Sequence, residues 1–269
     1  MSFGFLKWFS RSENLAAKNG EPIEIWKFNH VDDPTMLSEW ATHFRNMYVD
    51  DALIDDYRSG TGLSRSEYLL KMTFPDKSNG WGPLTRSGDF AELLVADFLE
   101  FLQNYWIPRV RYDDKATRNS STQGSDVVGL KMKEKGKINK DDELIVIEVK
   151  AQFSGNEANA RLQAAVNDSN KDVTRVGEFL NYAKRRYVKD GKEIEKKTIE
   201  RFQNISDNPY VERFGAAALF NENVFDESVI KNTDCSAHSH KNNLKLIVIS
   251  GKDMMTLVHS LYERAANEA

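Results

Sequence analysis

The run Glu-Leu-Ile-Val-Ile-Glu-Val-Lys at 143–150 constrains this chain most. Four consecutive apolar residues read as a buried strand, and the strand ends in Glu148-Val149-Lys150. Side chains alternate along a strand, so Glu148 and Lys150 project to one face while Val149 points to the other. A second strand precedes it at 124–130, Gly-Ser-Asp-Val-Val-Gly-Leu, with a tight Gly-Ser turn ahead of an acid and an apolar run. The polar connection 133–142 then reads as a hairpin loop. Pairing of the two strands brings Asp126 to one end of the sheet beside Glu148 and Lys150. Two carboxylates and an ammonium there make a divalent-metal site with a cation beside it, chemistry suited to phosphodiester hydrolysis.

The chain is long enough for this to sit in one large α/β domain, or in a compact core with an added terminal region: 269 residues, 40% of them hydrophobic and 29% charged. With 37 basic and 41 acidic residues the net charge is −4. That excludes a uniformly basic nucleic-acid coat and leaves room for a local basic strip. The single Cys235 precludes an internal disulfide, as expected of a cytoplasmic protein. No apolar run approaches the ~18 residues of a membrane span. The aromatic start, MSFGFLKWFS, is interrupted by Lys7 and reads as a terminus docked on the core rather than a signal peptide or an anchor.

Residues 1–80 read as an accessory region and a candidate partner contact, with 81–269 as the core domain. The first stretch holds a strand at 23–28, a helix from Leu37 to Tyr48, and an N-cap at Ser64. The turn-rich segment 75–83 forms the junction. The core opens with a helix over 87–102, capped by Ser87, in which Phe90, Leu94, Val95, Phe98, Leu99 and Leu102 recur at helical spacing. Strands are expected at 106–112, 125–131 and 143–150, a helix at 171–188, strands at 211–220 and 244–250, and a closing helix at 253–267. With 211–220 set aside, since Gly215 and three alanines weaken it as a strand, the order helix, three strands, helix, strand, helix is an α/β arrangement.

An acid-x-Lys tripeptide carries little by itself. It also occurs at Asp113-Asp114-Lys115, Asp190-Gly191-Lys192 and Glu195-Lys196-Lys197. Only Glu148-Val149-Lys150 ends an apolar strand that follows another strand led by an acid. The literal Pro75-Asp76 lies in the junction ahead of the core helix and is a decoy. Asp126 with Glu148-Val149-Lys150, behind an acid-bearing helix, resembles the PD-(D/E)XK nuclease superfamily, whose core is helix, three strands, helix, strand. Ser125 stands where the superfamily's name has a proline, a position that varies. A narrower similarity over about 85–152, through RSGDFAELL, KATRNSSTQGSDVVG and LIVIEVKAQ, is to the HamA-like nuclease subunit of Hachiman antiphage defence systems.

The resemblance implies a metal-dependent DNA endonuclease of little sequence specificity, with a bacterial antiphage role and a DNA helicase partner that restrains or delivers it. Asp126 and Glu148 would hold Mg2+ or Mn2+ with the Val149 carbonyl as a third ligand. Lys150 would orient the attacking water, Glu92 would match the family's helix acid, and Gln152 would support them from the same strand face. Lys115 and Arg118, in the loop feeding Asp126, are candidate DNA contacts, as are Lys184 and Arg185 on the helix after the active strand. No membrane and no small-molecule cofactor are implied. Each residue also has a plain structural reading: Asp126 as a turn cap, Lys150 as a strand-end charge, Glu92 as a solvated helix acid. The rivals are a site-specific restriction enzyme and a catalytically silent subunit of the same fold, and RNA stays open as substrate. The cluster Asp234-Cys235-Ser236-Ala237-His238-Ser239-His240 matches no common zinc spacing and reads as a polar loop.

Overall fold

Strands β5 (Glu143–Gln152), β6 (Val211–Asn221), β7 (Leu244–Gly251) and β3 (Pro22–Phe28) run parallel through the middle of a seven-stranded sheet. The computed structural model describes residues 3–120, 124–134 and 136–269. Part of the expected loop 113–123 and one residue of the 133–142 connection therefore lie outside the described residues. The sheet order is β1-β3-β7-β6-β5-β4, with β1 (Phe9–Arg11) and β4 (Val127–Lys131) antiparallel at the two edges. The short β2 (Leu15–Ala16) pairs antiparallel with β3.

Both faces of the sheet are covered, which explains why its central strands are apolar without alternation. On one face Ile145, Ile147 and Val149 pack with α1 (Pro34–Tyr48), α4 (Gly82–Asp97) and α9 (Met254–Asn267). On the other, Leu144 and Val146 meet α5 (Arg161–Ser169), α6 (Asp172–Lys189) and α7 (Glu193–Arg201). The three alanines of β6 are fully buried between these layers, where helices approach the sheet closely. Two short helices, α2 (Ile54–Arg58) and α3 (Arg65–Tyr68), fill the first stretch, and α8 (Glu227–Lys231) lies between β6 and β7. Among the described residues, no helix is long and apolar enough to cross a membrane.

Residues 1–80 share this core. β3 is hydrogen-bonded to β7, α1 packs on α9, and Phe5 stacks on Trp40 with ring centroids 4.6 Å apart. Ser64 caps α3 in a reciprocal capping box with Glu67. Two expectations need correction. The core helix begins at Gly82, with Pro83 in its first turn, and Ser87 lies inside it, donating its hydroxyl to the Leu84 carbonyl. Residues 106–112 form no strand. They contribute one antiparallel bridge, Trp106 to Leu130. Pro108 brings no amide to a ladder, and Arg109 turns to Asp97 and Glu100, at 2.6 Å from each.

Candidate functional site

The β4–β5 register pairs Val127 with Ile147. Continued one step, it sets Asp126 opposite Glu148, and residues directly opposed in an antiparallel pair share a face. The ladder stops there because the Asp126 side chain takes over as acceptor: its Oδ2 receives the Val149 N–H at 2.9 Å. The N–H and C=O of one ladder residue face the same neighbour, so the Val149 carbonyl points to the side where Asp126 stands.

Lys150 closes the group. Its Nζ lies 2.5 Å from Glu148 Oε1 and 3.0 Å from Asp168 Oδ2 on α5, and the other Asp168 oxygen lies 2.5 Å from Lys171. Burial, with the Asp126 charge added, pushes the Glu148 carboxyl up to about 7 despite its bond to Lys150. For Lys150 burial works downward, yet the bond to Glu148 and the surrounding acids hold it above its ordinary value. At the start of α6, Asp172 accepts a hydrogen bond from Ser125 Oγ at 2.8 Å. Burial raises it to about 6, opposed by that bond and helped by Asp126.

Glu92 reaches the same field from α4. Tyr112 donates its hydroxyl to Glu92 Oε2 at 2.5 Å, and the Arg111 guanidinium lies 3.4 Å from Glu92 and 3.6 Å from Asp126 Oδ1. Arg111 also donates to the carbonyls of Ser125 and Asp126. It thereby links the helix acid to the strand acid and fixes the turn before β4. Burial and the Asp126 charge raise Glu92 to about 8, with Arg111 opposing. Glu92 and Lys150 both line an open cleft of about 300 Å3 between the first half of α4, Asn119 and Val149–Ala151.

Acids that raise one another's pKa share an excess of negative potential, and a cation among them relieves it. Asp126, Glu148 and the Val149 carbonyl are hard oxygen donors of the kind magnesium and manganese take. Among the described residues no group of three or more His, Cys, Asp and Glu side chains is arranged to hold a metal. Two carboxylates with a main-chain carbonyl are not such a group, and their donor chemistry fits a divalent ion.

Other candidates are engaged elsewhere. Gln152 donates to the Glu157 carbonyl at 2.7 Å and accepts the Asn159 N–H at 2.9 Å, bracing the loop between β5 and α5. Lys115 is buried in an ion pair with Asp89 and lies over the Tyr112 ring. Arg118 bonds Asp76 and the Leu70 carbonyl, each at 2.7 Å. Lys184 and Arg185 are on α6, but Lys184 is twelve residues beyond Asp172, roughly 18 Å along the helix axis. Four residues that bear on the site are not singled out from sequence: Arg111, Tyr112, Asp168 and Asp172. Asp172 in a first helical turn reads as a dipole complement, and Arg111 as one of two solvated charges in an expected strand.

The comparison with known proteins bears on the whole chain. No curated protein matches it. The HamA family profile matches residues 4–265, through the first 80 residues as well as the core. The chain belongs to the HamA family and is thus a protein of Hachiman antiphage defence systems.

Proposed function

We propose that this chain is a metal-dependent DNA endonuclease with a PD-(D/E)XK core, cutting with little sequence specificity in the cytoplasm under the control of a DNA helicase partner. The observation that carries the reading is the convergence of Asp126, Glu148 and Lys150 at one end of the β4–β5 pair. The order α4, β4, β5, α5, β6, with the Trp106 bridge standing where a first strand would be, is compatible with that core. A Mg2+ or Mn2+ ion held by Asp126, Glu148 and the Val149 carbonyl would supply electrophilic activation of the phosphate and a water of lowered pKa. Lys150 places a positive charge where negative charge accumulates on the phosphoryl oxygens, and its ammonium can orient the attacking water. Arg111 holds the Asp126 turn in place. Glu92, whose carboxyl burial and the Asp126 charge push upward, accepts the Tyr112 hydroxyl and faces Arg111 at the edge of this field. The partner contact is assigned to the first 80 residues, where Tyr57 is 54% and Met72 56% exposed, apolar surface left open among the described residues.

Digestion of several unrelated plasmids in magnesium and in manganese, with and without the partner, tests this. Smearing is expected. Glu148→Ala and Lys150→Ala should abolish it while Asp190→Ala and Glu195→Ala leave it intact. Discrete bands would favour a site-specific enzyme. Uncut DNA under every condition, or equal loss from both sets of variants, would overturn the reading, and cleavage of RNA alone would change its substrate.

A further inference from the structure

Trp81 is 74% exposed and Leu84 61%, and both line the cleft that holds Glu92 and Lys150. An exposed indole on a loose surface loop would say little. This one sits on a turn fixed from several sides. Asp76 Oδ1 accepts the N–H groups of Ser78 and Asn79, and its own N–H is taken by Asn119 Oδ1 at 2.7 Å. Arg118 pairs with the second oxygen of Asp76. The Trp81 carbonyl receives both the N–H and the hydroxyl of Thr85, and that hydroxyl also lies 2.9 Å from the Asn119 carbonyl. At Gly82 a Cβ would lie 2.4 Å from the Asp76 carbonyl, so the two ends of the turn touch. The backbone that carries the indole is therefore fixed before any ligand arrives, which lowers the cost of presenting the ring.

The cleft's chemistry indicates what it takes. The same cleft is lined by two cations, Lys150 and Arg161, along with the acids Asp89 and Glu92, and among the described residues the buried Arg161 Nε has no hydrogen-bond partner. A flat aromatic face next to positive charge is the usual platform for single-stranded nucleic acid, with the base on the ring and the phosphate on the cation. In a duplex both faces of every internal base are already stacked, so such a platform accepts only an unpaired or splayed nucleotide.

Building on the nuclease reading, we propose that Trp81 stacks an unpaired base of the DNA strand whose backbone enters the cleft at Lys150 and Arg161, so that the substrate is single-stranded or locally unwound DNA. Arg118 then serves as a positioning residue for the turn that presents the indole.

Fluorescence anisotropy of a labelled oligothymidine and of a matched duplex, in EDTA so that no cleavage occurs, tests the proposal on the full chain. Trp81→Ala should weaken single-strand binding by about 5- to 150-fold, the equivalent of ~1–3 kcal/mol for one stacked base. Duplex binding should change much less, and Trp81→Phe should restore most of the single-strand affinity. Trp81→Ala removes an exposed side chain, so its melting temperature should match that of the parent. Equal weakening on both DNAs, no weakening on the single strand, or no binding of single strands by the parent would overturn the platform. Glu148-dependent cleavage unaltered on single strands by Trp81→Ala would leave the nuclease reading standing and sink this one. Trp81-dependent binding without any cleavage would do the reverse.

Discussion

The acid cluster makes a prediction about stability that needs no substrate. Glu148 and Glu92 titrate near 4.5 when unfolded, but near about 7 and about 8 in the fold, because burial and the Asp126 charge disfavour their ionised forms. Below pH 4.5 both states carry the protons and the contribution is complete. Between 4.5 and about 8 the unfolded chain releases protons that the folded chain keeps, so stability falls as pH rises. One pKa unit is about 1.4 kcal/mol, which makes the full rise worth about 3 kcal/mol at Glu148 and about 5 kcal/mol at Glu92. The three acids titrate as one coupled group, so the two rises are not additive and together remove on the order of 5 kcal/mol. At about 2–4 °C per kcal/mol for a chain of this size, the melting temperature in EDTA should drop by roughly 10–20 °C from pH 5 to pH 8.5.

His238 and His259 push the other way, since burial lowers both, so the informative quantity is the slope relative to Asp126→Asn. That variant removes the shared charge while keeping an acceptor for the Val149 N–H, and its decline with pH should be clearly shallower. On the proposed metal reading, magnesium would bind the ionised cluster of the folded state only, so it should stabilise the parent more at pH 8 than at pH 5.5 and do little for Asp126→Asn. Equal slopes for the two proteins in EDTA, or a magnesium effect independent of Asp126, would refute the cluster as described.

Two further outcomes follow from residues near the cleft. Lys115→Met should cost about 3–5 kcal/mol in a denaturant titration, because it strands the buried Asp89 charge, and adding Asp89→Leu should recover part of the loss. Lys184→Ala with Arg185→Ala should leave binding of a short oligonucleotide within about twofold, since those side chains stand roughly 18 Å along α6 from Asp172, and a large loss would extend the DNA track along that helix.

The elements legible in the sequence are those whose apolar pattern outlasts their ends. β5 and β7 showed as apolar runs, while α1, α6 and α9 showed as helical stripes. The start of α4 is hidden because Arg86 and Asp89, charges that interrupt the apolar stripe, are both buried. Arg86 lies over the Tyr262 ring at 4.5 Å, and Asp89 takes hydrogen bonds from Tyr48 and Lys115. Arg86 also donates to the Pro75 carbonyl eleven positions back, and the other partners named lie 26 or more positions away, beyond any local periodicity. The short helices α5 and α7 were missed for a related reason. Nine residues each, with few apolar positions, they are held by the sheet and by α6 rather than by their own propensity.

The candidate site divides along the same line. Asp126, Glu148 and Lys150 could be placed together because a strand has a period of two and an antiparallel pair has one register, so three backbone positions fix three side chains. Nothing similar fixes the reach of a long side chain. Arg111, Lys115 and Arg118 sit within one eight-residue stretch, yet their heads go to Glu92 and Asp126, to Asp89, and to Asp76. Reading that stretch as a DNA-facing basic loop follows from charge alone. Burial reverses it for Arg111 and Lys115, since a cation beside a desolvated acid gains more from that partner than a screened phosphate in solvent would return. Arg118 is engaged in a half-buried pair with Asp76. These residues therefore serve the fold around the cleft, and on the proposed reading the groups left to meet DNA at its mouth are Lys150, Arg161 and the Trp81 ring.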